Sequence, residues 1–269
     1  MNILYIFSGT RKDKTRGRIH VDYPDTQLYG QNHLVKFGMN AEYREFKDQY
    51  PIIGFFSKII GFRGRHSLMF FLARHYDVVF GISVLYMLIW KKFIRTETKF
   101  IIFNSVLSRL LNVHKQSSIK FKILVWILRE VDGIVFLAQI DLKNVASRLP
   151  FLKEKLFIVH MGVDKDYYKF ICHGREDFLL SVGRDDARDY KTVIDVAKKM
   201  PMEKFHLVCL PRNIQHIQDI PPNVHIHVNI SINELQDFYG KAKALLLITH
   251  KDTYSEGSDS SGPTVLLEA

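Results

Sequence analysis

Short apolar, β-branched runs alternate with helix-patterned segments along the whole sequence, and this alternation constrains the fold more than any other feature. It is typical of a parallel sheet covered by helices. The predicted strands are 2–7, 77–81, 100–103, 133–136, 156–160, 178–182, 206–210, 224–229 and 244–248. The predicted helices include 31–37, 139–148, 190–200 and 232–242. The fold class is therefore α/β.

The pattern restarts after residue 177, and the charge changes near the same place. Residues 1–170 carry 27 Lys and Arg against 14 Asp and Glu, whereas residues 171–269 carry 11 against 14. A charged, tyrosine-rich stretch at 162–175 separates the two halves. We therefore predict two domains with different partners, residues 1–165 and residues 166–269.

Several classes of protein do not fit this sequence. The longest apolar stretch, 84–90, ends at Lys91 and is shorter than the roughly 18 residues that a membrane span needs. Residues 1–7 lack a basic segment before them and are a first strand, not a secretory signal. Cys172 and Cys209 fit neither a disulfide framework nor a metal site, so a reducing, cytoplasmic setting is the simplest inference.

The segment after the predicted strand 178–182 carries the first candidate site. Gly183 permits a tight turn, and Arg184 and Arg188 can place two planar cations on a diphosphate before a helix begins. The alternative is an ordinary solvated loop in which the arginines pair with neighbouring carboxylates. Those carboxylates are Asp185, Asp186 and Asp189.

The final stretch, 255–269, carries the second candidate site. Gly262 precedes Pro263, a preferred first residue of a helix, and Glu268 follows one turn later. A helix start offers free N–H groups to an anion, and a glutamate can accept hydrogen bonds from ribose hydroxyls. The alternative is a capped helix without a ligand.

Taken together, these stretches resemble the donor-domain motifs of family 4 retaining glycosyltransferases. The resemblance rests on Leu-Ser-Val-Gly-Arg at 180–184, Asp-Tyr-Lys-Thr at 189–192 and Gly-Pro-Thr-Val-Leu-Leu-Glu-Ala at 262–269. It extends to Val-Asp-Gly-Ile-Val-Phe-Leu at 131–137 and His-Met-Gly-Val-Asp at 160–164. It covers residues 125–269 well and the earlier residues thinly.

The resemblance implies a GT-B fold of two Rossmann-like domains, with the acceptor bound mainly by the first and the nucleotide sugar by the second. Arg184 and Arg188 match the basic pair on the donor diphosphate, and Glu268 matches the ribose-binding glutamate. The remaining donor-site residues are Gly183, Ser261, Gly262 and Thr264. The resemblance also implies catalysis without a metal or other cofactor, the donor being a UDP- or GDP-linked sugar.

Two departures from the family pattern stand out. Ser260 occupies the position of the first glutamate of the Glu-x7-Glu motif. The glycine pair often found after the first strand is replaced by Ser-Gly-Thr at 8–10 and a basic run at 11–18. Nearby polar candidates for acceptor contact are His20, Asp25 and Tyr29.

The sequence also bears on three other kinds of partner: a metal ion, a nucleic acid and a membrane. His225 and His227 point to one face of a strand without a third metal ligand in view. No nucleic-acid module accompanies the basic first half, which argues against a nucleic-acid partner. The segment 55–66 mixes basic and large apolar residues. This composition is typical of a peripheral site on an anionic membrane, and the alternative is a core helix with charged ends.

The sequence therefore predicts transfer of a hexosyl unit from a nucleoside-diphosphate sugar to a hydroxyl of a glycan or glycolipid, with retention of configuration. The alternatives are a non-catalytic nucleotide-binding relative and a basic protein of the membrane surface. Because the sequence ends at Glu268 and Ala269, inside a helix, we expect it to be an inactive part of a longer enzyme.

Overall fold

The apolar runs form two sheets in which all strands are parallel, each within its own compact unit. The computed structural model describes residues 1–7, 23–44, 66–104, 106–169, 174–251, 254 and 262–269. The chain divides into unit 1, Met1–His160, and unit 2, Met161–Ala269.

The sheet of unit 1 has six strands in the order β2-β1-β3-β4-β5-β6. These are β1 Asn2–Ile6, β2 Asn40–Arg44, β3 Val78–Gly81, β4 Lys99–Phe103, β5 Gly133–Phe136 and β6 Leu156–Ile158. The α-helices are α1 Phe70–Ala73, α2 Leu88–Lys91, α3 Leu107–Val113, α4 Ile119–Leu128 and α5 Gln139–Arg148. The 3-10 helices are Asp25–Leu28, Gln31–Phe37, Ile82–Tyr86 and Pro150–Lys155.

Both faces of this sheet are buried, because side chains alternate along each strand. Leu4 and Ile6 pack into a core with Phe70 and Phe100. On the opposite face, β1 contributes to a second cluster of aromatic and aliphatic side chains. Its buried members are Ile3, Tyr5 and Phe7.

The sheet of unit 2 has four strands in the order β10-β7-β8-β9. These are β7 Phe178–Val182, β8 Lys204–Cys209, β9 Val224–Val228 and β10 Ala244–Leu245. The helices are α6 Tyr190–Lys199, α7 Pro211–Ile214, α8 Ile232–Lys241 and α9 Pro263–Glu268. The chain runs to one side of β7 through β8 and β9 and returns to its other side with β10. The carboxyl ends of β7 and β10 therefore flank a topological switch point, where open parallel sheets bind ligands.

The prediction of two Rossmann-like α/β units is confirmed, and every predicted strand is present with an end shifted by at most three residues. Strand β2 was missed because it reads Asn-Ala-Glu-Tyr-Arg and lies at the edge of its sheet. Only Ala41 and Tyr43 of this strand pack against the apolar cluster, so it has no apolar run to detect. Within the described ranges, no helix has both the length and the apolar character that a membrane span requires.

Candidate functional site

The loop after β7 is anchored at both of its ends. The Gly183 N–H donates to the Val208 carbonyl at 3.0 Å, and the buried Tyr190 hydroxyl donates to the Gly183 carbonyl at 2.7 Å. At the other end, Asp189 caps α6 by accepting the backbone N–H and the hydroxyl of Thr192, at 2.9 and 2.7 Å. The loop is thus held to the sheet and to the helix that follows.

The same loop pairs with the chain that leaves β10. The His250 N–H donates to the Ala187 carbonyl at 2.8 Å, and the Asp189 N–H donates to the Ile248 carbonyl at 3.1 Å. Arg188 and Thr249 form an antiparallel bridge between these two bonds. The loops from β7 and β10 therefore meet at the switch point of unit 2.

Arg188 lies at the centre of this junction and is only 7% exposed. A Cβ atom on Gly183 would lie 2.3 Å from the Arg188 Nε, so the absence of a side chain there makes room for the arginine. A Cβ atom on Gly262 would lie 3.0 Å from the Arg188 Nη1. Two glycines that are 79 positions apart in the sequence therefore flank one guanidinium group.

The Nε and Nη1 atoms of Arg188 are buried and have no hydrogen-bond partner among the described residues. Burial lowers the pKa of Arg188, while Tyr190, Asp185 and Tyr239 oppose that shift. An arginine nevertheless stays charged in a protein. Burying guanidinium nitrogens that make no hydrogen bond costs free energy, so this is a place where an anion would be stabilised.

The three aspartates of the loop are engaged elsewhere. Asp186 accepts from the Arg212 Nε at 2.9 Å, and Asp189 caps α6. Asp185 accepts the Ala187 N–H at 2.9 Å. The carboxylates that the alternative interpretation would pair with the arginines thus have structural partners, although Asp185 contributes to the field at Arg188.

Arg184 has different surroundings. Its side chain is exposed, and its carbonyl accepts from the Arg212 Nη2 at 2.9 Å. The structure therefore gives the two predicted diphosphate ligands unequal environments, one buried against glycine and one at the surface.

Glu268, the last residue of α9, is held by two tyrosines. Its Oε2 accepts from the Tyr239 hydroxyl at 3.2 Å, and Tyr168 makes a second hydrogen bond to the carboxylate. Burial raises the pKa of both tyrosines, and the charge of Glu268 raises it further. Tyr239 also contributes to the field at Arg188, so this phenol lies near both the carboxylate and the guanidinium.

Of the other predicted donor-site residues, Gly262 adopts a positive φ of 119° and Thr264 is partly buried in α9. Ser261 lies outside the described residues, as does Ser260. Arg188 also has neighbours that were not predicted from the sequence: Thr249, His250 and Tyr239. No sequence signal identifies them, because only the return of the chain through β10 and α8 brings them to the loop.

A cavity of about 420 Å³ lies beside Glu268. Its lining includes Leu180, Ala244 and Leu245, so it runs along β7 and β10. None of the lining residues belongs to the loop 183–189. Arg188 itself does not line the cavity, although Tyr239, which contributes to the field at Arg188, does.

Three histidines, His206 on β8 with His225 and His227 on β9, gather on one face of the sheet of unit 2. The His206 Nδ1 lies 3.0 Å from the His227 Nε2, and His225 pairs with His206 across β8 and β9. Among the described residues, no group of three or more His, Cys, Asp or Glu side chains is arranged to hold a metal ion. Burial lowers the pKa of His206 to about 4, with further lowering by His227 and His225.

The predicted acceptor contacts in unit 1 are only partly described. His20 and the basic run 11–18 lie outside the described residues, as does 55–65 of the predicted membrane segment. Asp25 Oδ2 lies 2.8 Å from the His33 Nε2 and accepts the Asn32 amide at 2.9 Å. The Tyr29 ring packs against Phe103, with 4.6 Å between the ring centroids.

Comparison with solved structures places the fold among GT-B glycosyltransferases. The chain is similar to the catalytic domain of Starch Synthase IV from Arabidopsis thaliana bound to ADP and acarbose, with a TM-score of 0.58 and 10% identity over 91% of this chain and 77% of that one. It is similar to the E. coli trehalose-6-phosphate structure bound with UDP-2-fluoro glucose, with a TM-score of 0.60 and 10% identity over 100% and 81%. It is also similar to an alpha,alpha-trehalose-phosphate synthase (UDP-forming) from Burkholderia vietnamiensis, with a TM-score of 0.54 and 11% identity over 92% and 76%.

At these identities the likeness establishes the fold alone. No family model matches the sequence, and no curated protein matches it.

Proposed function

We propose that this protein is a glycosyltransferase that moves a hexosyl unit from a nucleoside-diphosphate sugar to a hydroxyl of a glycan or glycolipid, with retention of configuration. The observation that carries the proposal is the buried guanidinium of Arg188, which has two nitrogens without partners among the described residues. It lies at the switch point of an open parallel sheet, beside glycines from both donor-domain motifs.

A diphosphate suits this site better than a carboxylate side chain. Phosphate oxygens accept the paired N–H groups of an arginine in the planar geometry that its guanidinium presents. When the bond to the sugar breaks, negative charge grows on the leaving diphosphate, so a cation already in place stabilises the transition state more than the ground state. In this proposal Arg188 holds the diphosphate from inside, and Arg184 approaches it from the surface.

Glu268 is proposed to bind the nucleotide ribose. An ionised carboxylate has about four lone-pair sites, so the two tyrosine hydroxyls leave capacity for ribose hydroxyls. Tyr168 and Tyr239 also fix the orientation of the carboxylate before the donor arrives. In a longer chain that is able to turn over, Glu268→Gln should therefore raise the KM for the donor more than it lowers kcat, because ribose contacts are the same in the ground and transition states.

The test compares Arg188→Met with the natural sequence by thermal unfolding and by donor binding. Methionine fills a similar volume without a charge, so the ligand-free variant should unfold at a higher temperature. UDP and GDP should stabilise the natural protein and not the variant. Arg188→Lys, which keeps the charge and loses the planar group, should restore part of the binding.

Arg184→Ala tests whether this arginine contacts the donor. Lys199→Ala is its control for the loss of one positive charge. Arg184→Ala should leave the ligand-free stability unchanged. In a longer chain that is able to turn over, it should lower the transfer rate about a hundredfold, as the loss of one charge-assisted contact of about 2 to 4 kcal/mol does. Lys199 lies at the far end of α6, so its removal should change neither property. Equal stabilisation of Arg188→Met and the natural protein by UDP and GDP would show that the diphosphate lies elsewhere.

A non-catalytic nucleotide-binding protein is the second candidate, and Ser260 favours it because a carboxylate is absent from the position of the first motif glutamate. The two candidates differ in turnover. If UDP or GDP binds with dependence on Arg188, but no sugar is released from UDP- or GDP-linked hexoses over prolonged incubation either by this chain or by a longer chain that contains it, the second candidate is correct. Where turnover occurs, the anomeric configuration of the product, read by proton NMR, tests retention.

A further inference from the structure

Helix α4, Ile119–Leu128, is apolar on two opposite faces. Phe121 and Leu128 are buried in the core of unit 1. Ile119, Ile123 and Trp126 are 75%, 51% and 38% exposed. At about 100° per residue, these three side chains fall within an arc of roughly 60° on the side opposite the buried pair. A surface helix of a soluble protein normally presents polar residues there.

A fourth aromatic side chain extends this exposed apolar surface. Phe93, just beyond α2, is 72% exposed, and its ring centroid lies 6.1 Å from that of Trp126. Phe93, Ile119, Ile123 and Trp126 are called the Trp126 stripe below. Contiguous apolar surface of this kind marks an interaction site more often than isolated exposed residues do.

Cations border the Trp126 stripe. Lys122 and Arg129 lie along one side of α4 and Lys120 along the other, and all three are exposed. Glu130, an acidic residue just beyond the end of α4, is paired with Lys92 at 2.6 Å. Lys92 also lies over the Trp126 ring, 5.5 Å from its centroid.

A groove of about 480 Å³ runs beside the stripe. Its lining combines Lys92, Lys122 and Arg129 with Gln116 and with the rings of Phe121 and Trp126. Because Lys92 is paired with Glu130, the positive charge of the groove comes from Lys122 and Arg129, and this charge beside an apolar surface suits an anionic headgroup next to acyl chains.

We propose that the Trp126 stripe and its flanking cations dock this protein on the surface of an anionic lipid bilayer. Helices that lie in a membrane interface carry Trp, Phe or large aliphatic residues on one side and Lys or Arg beside them. Each basic residue near an anionic surface contributes about 1 kcal/mol of attraction. A second copy of the same helix would bring Lys122 and Arg129 of both copies together, and like charges oppose such pairing. The proposal is independent of the donor site in unit 2.

The test uses sedimentation with vesicles of phosphatidylcholine alone and of phosphatidylcholine and phosphatidylglycerol in equal parts. The protein should sediment with the anionic vesicles and detach as salt rises. Ile119→Ser with Ile123→Ser should lower the partition constant about tenfold, since two exposed aliphatic side chains no longer enter the interface. Lys122→Glu with Arg129→Glu should lower it by at least as much.

Matched controls come from the same unit. Ile140, which is 62% exposed on α5, and Val35, which is 70% exposed, are changed together to serine. Lys36 and Lys143, both exposed, are changed together to glutamate. Neither control pair should alter the partition constant by more than about twofold, because a surface away from the bilayer contributes little.

Fluorescence identifies the contact directly. The sequence has two tryptophans, so Trp90→Phe leaves Trp126 as the single reporter. Its emission should shift to shorter wavelength on anionic vesicles, as an indole does on leaving water. The proposal fails if the protein binds without this shift, if Ile119→Ser with Ile123→Ser binds as well as the natural protein, or if light scattering shows a dimer that this double variant converts to monomers.

Discussion

Arg188 illustrates a conflict between stability and binding at the scale of one residue. Its guanidinium is buried beside Gly183 and Gly262, with Nε and Nη1 lacking partners among the described residues. Such an arrangement costs free energy of folding unless an anion binds. Arg184, four residues earlier, is exposed and carries no such cost.

Gly183→Ala tests whether this glycine is needed to seat the arginine. The added methyl group would lie 2.3 Å from Nε and 2.8 Å from Cγ of Arg188. Because these atoms are in the middle of a buried side chain, either the loop or the arginine must move, at a cost of about 1 to 3 kcal/mol. We expect a lower free energy of unfolding by urea denaturation and weaker UDP or GDP binding by calorimetry. The double variant with Arg188→Met should recover the stability without the binding, and a stable Gly183→Ala that binds normally would contradict this account.

At the scale of elements, Asp189 caps the start of α6 and also bonds the chain beside the candidate site. Asp189 accepts two hydrogen bonds from Thr192, and its backbone N–H reaches the chain that leaves β10. Desolvation opposes ionisation of this carboxyl, but the bonds from Thr192 together with nearby positive charges hold its pKa below the ordinary value.

Asp189→Ala removes the cap and should lower the free energy of unfolding by about 1 kcal/mol. Asp195 serves as the control, because it lies on the same helix and makes only an exposed ion pair with Lys191. Asp195→Ala should leave the urea midpoint unchanged. Equal midpoints for Asp189→Ala and the natural protein would mean that water replaces the cap without loss.

The histidines of β8 and β9 predict a stability that depends on pH. Burial lowers the pKa of His206 from 6.5 to about 4, and that of His227 is lowered as well. The folded state therefore favours neutral rings, and the unfolded state binds more protons as the pH falls. The contribution to stability is complete above pH 6.5 and is lost progressively between pH 6.5 and about 4.

Urea midpoints of unit 2 between pH 7.5 and about 4 test this dependence, followed through a signal from that unit. His206→Gln should flatten the decline, because it removes the group with the largest depression. His216, exposed in the loop after α7, is the control, and His216→Gln should leave the decline as it is. If the urea midpoint of His206→Gln falls with pH as steeply as that of the natural protein, other titrating groups cause the decline.

At the scale of the whole molecule, the two units differ in charge and in the ligands proposed for them. The first 170 residues hold 27 of the 38 Lys and Arg, and the Trp126 stripe lies among them. The proposed anion site at Arg188 belongs to unit 2, which covers Met161–Ala269. Each unit has its own buried core or cores. We therefore expect each unit to unfold in a transition of its own.

Calorimetry with and without ligand should distinguish the units. UDP or GDP at about a hundredfold excess over Kd should stabilise unit 2 by about 2.7 kcal/mol. The unfolding temperature of unit 1 should stay unchanged. Uridine and guanosine, which lack the diphosphate, should have little effect. If nucleoside and nucleotide shift the same transition equally, the diphosphate does not provide the binding energy.

Local chemistry was sufficient to predict the strands and several helices. Strand β7 and helix α5 have the predicted bounds, because a buried strand needs an apolar run and a surface helix needs its own periodic pattern. The turn at Gly183 and the helix start at Pro263 follow from glycine and proline in the same way. These features depend on neighbours within a few residues, which the sequence displays directly.

Only the tertiary structure decided which arginine is buried and what surrounds it. Arg184 and Arg188 have the same chemistry and lie in the same loop, but the return of the chain through β10 places Thr249 and His250 beside Arg188. The joining of His206 to His227 likewise depends on the register between β8 and β9. Such contacts arise from the order of strands in a sheet, and that order is set by packing over the whole unit and not by any short stretch of residues.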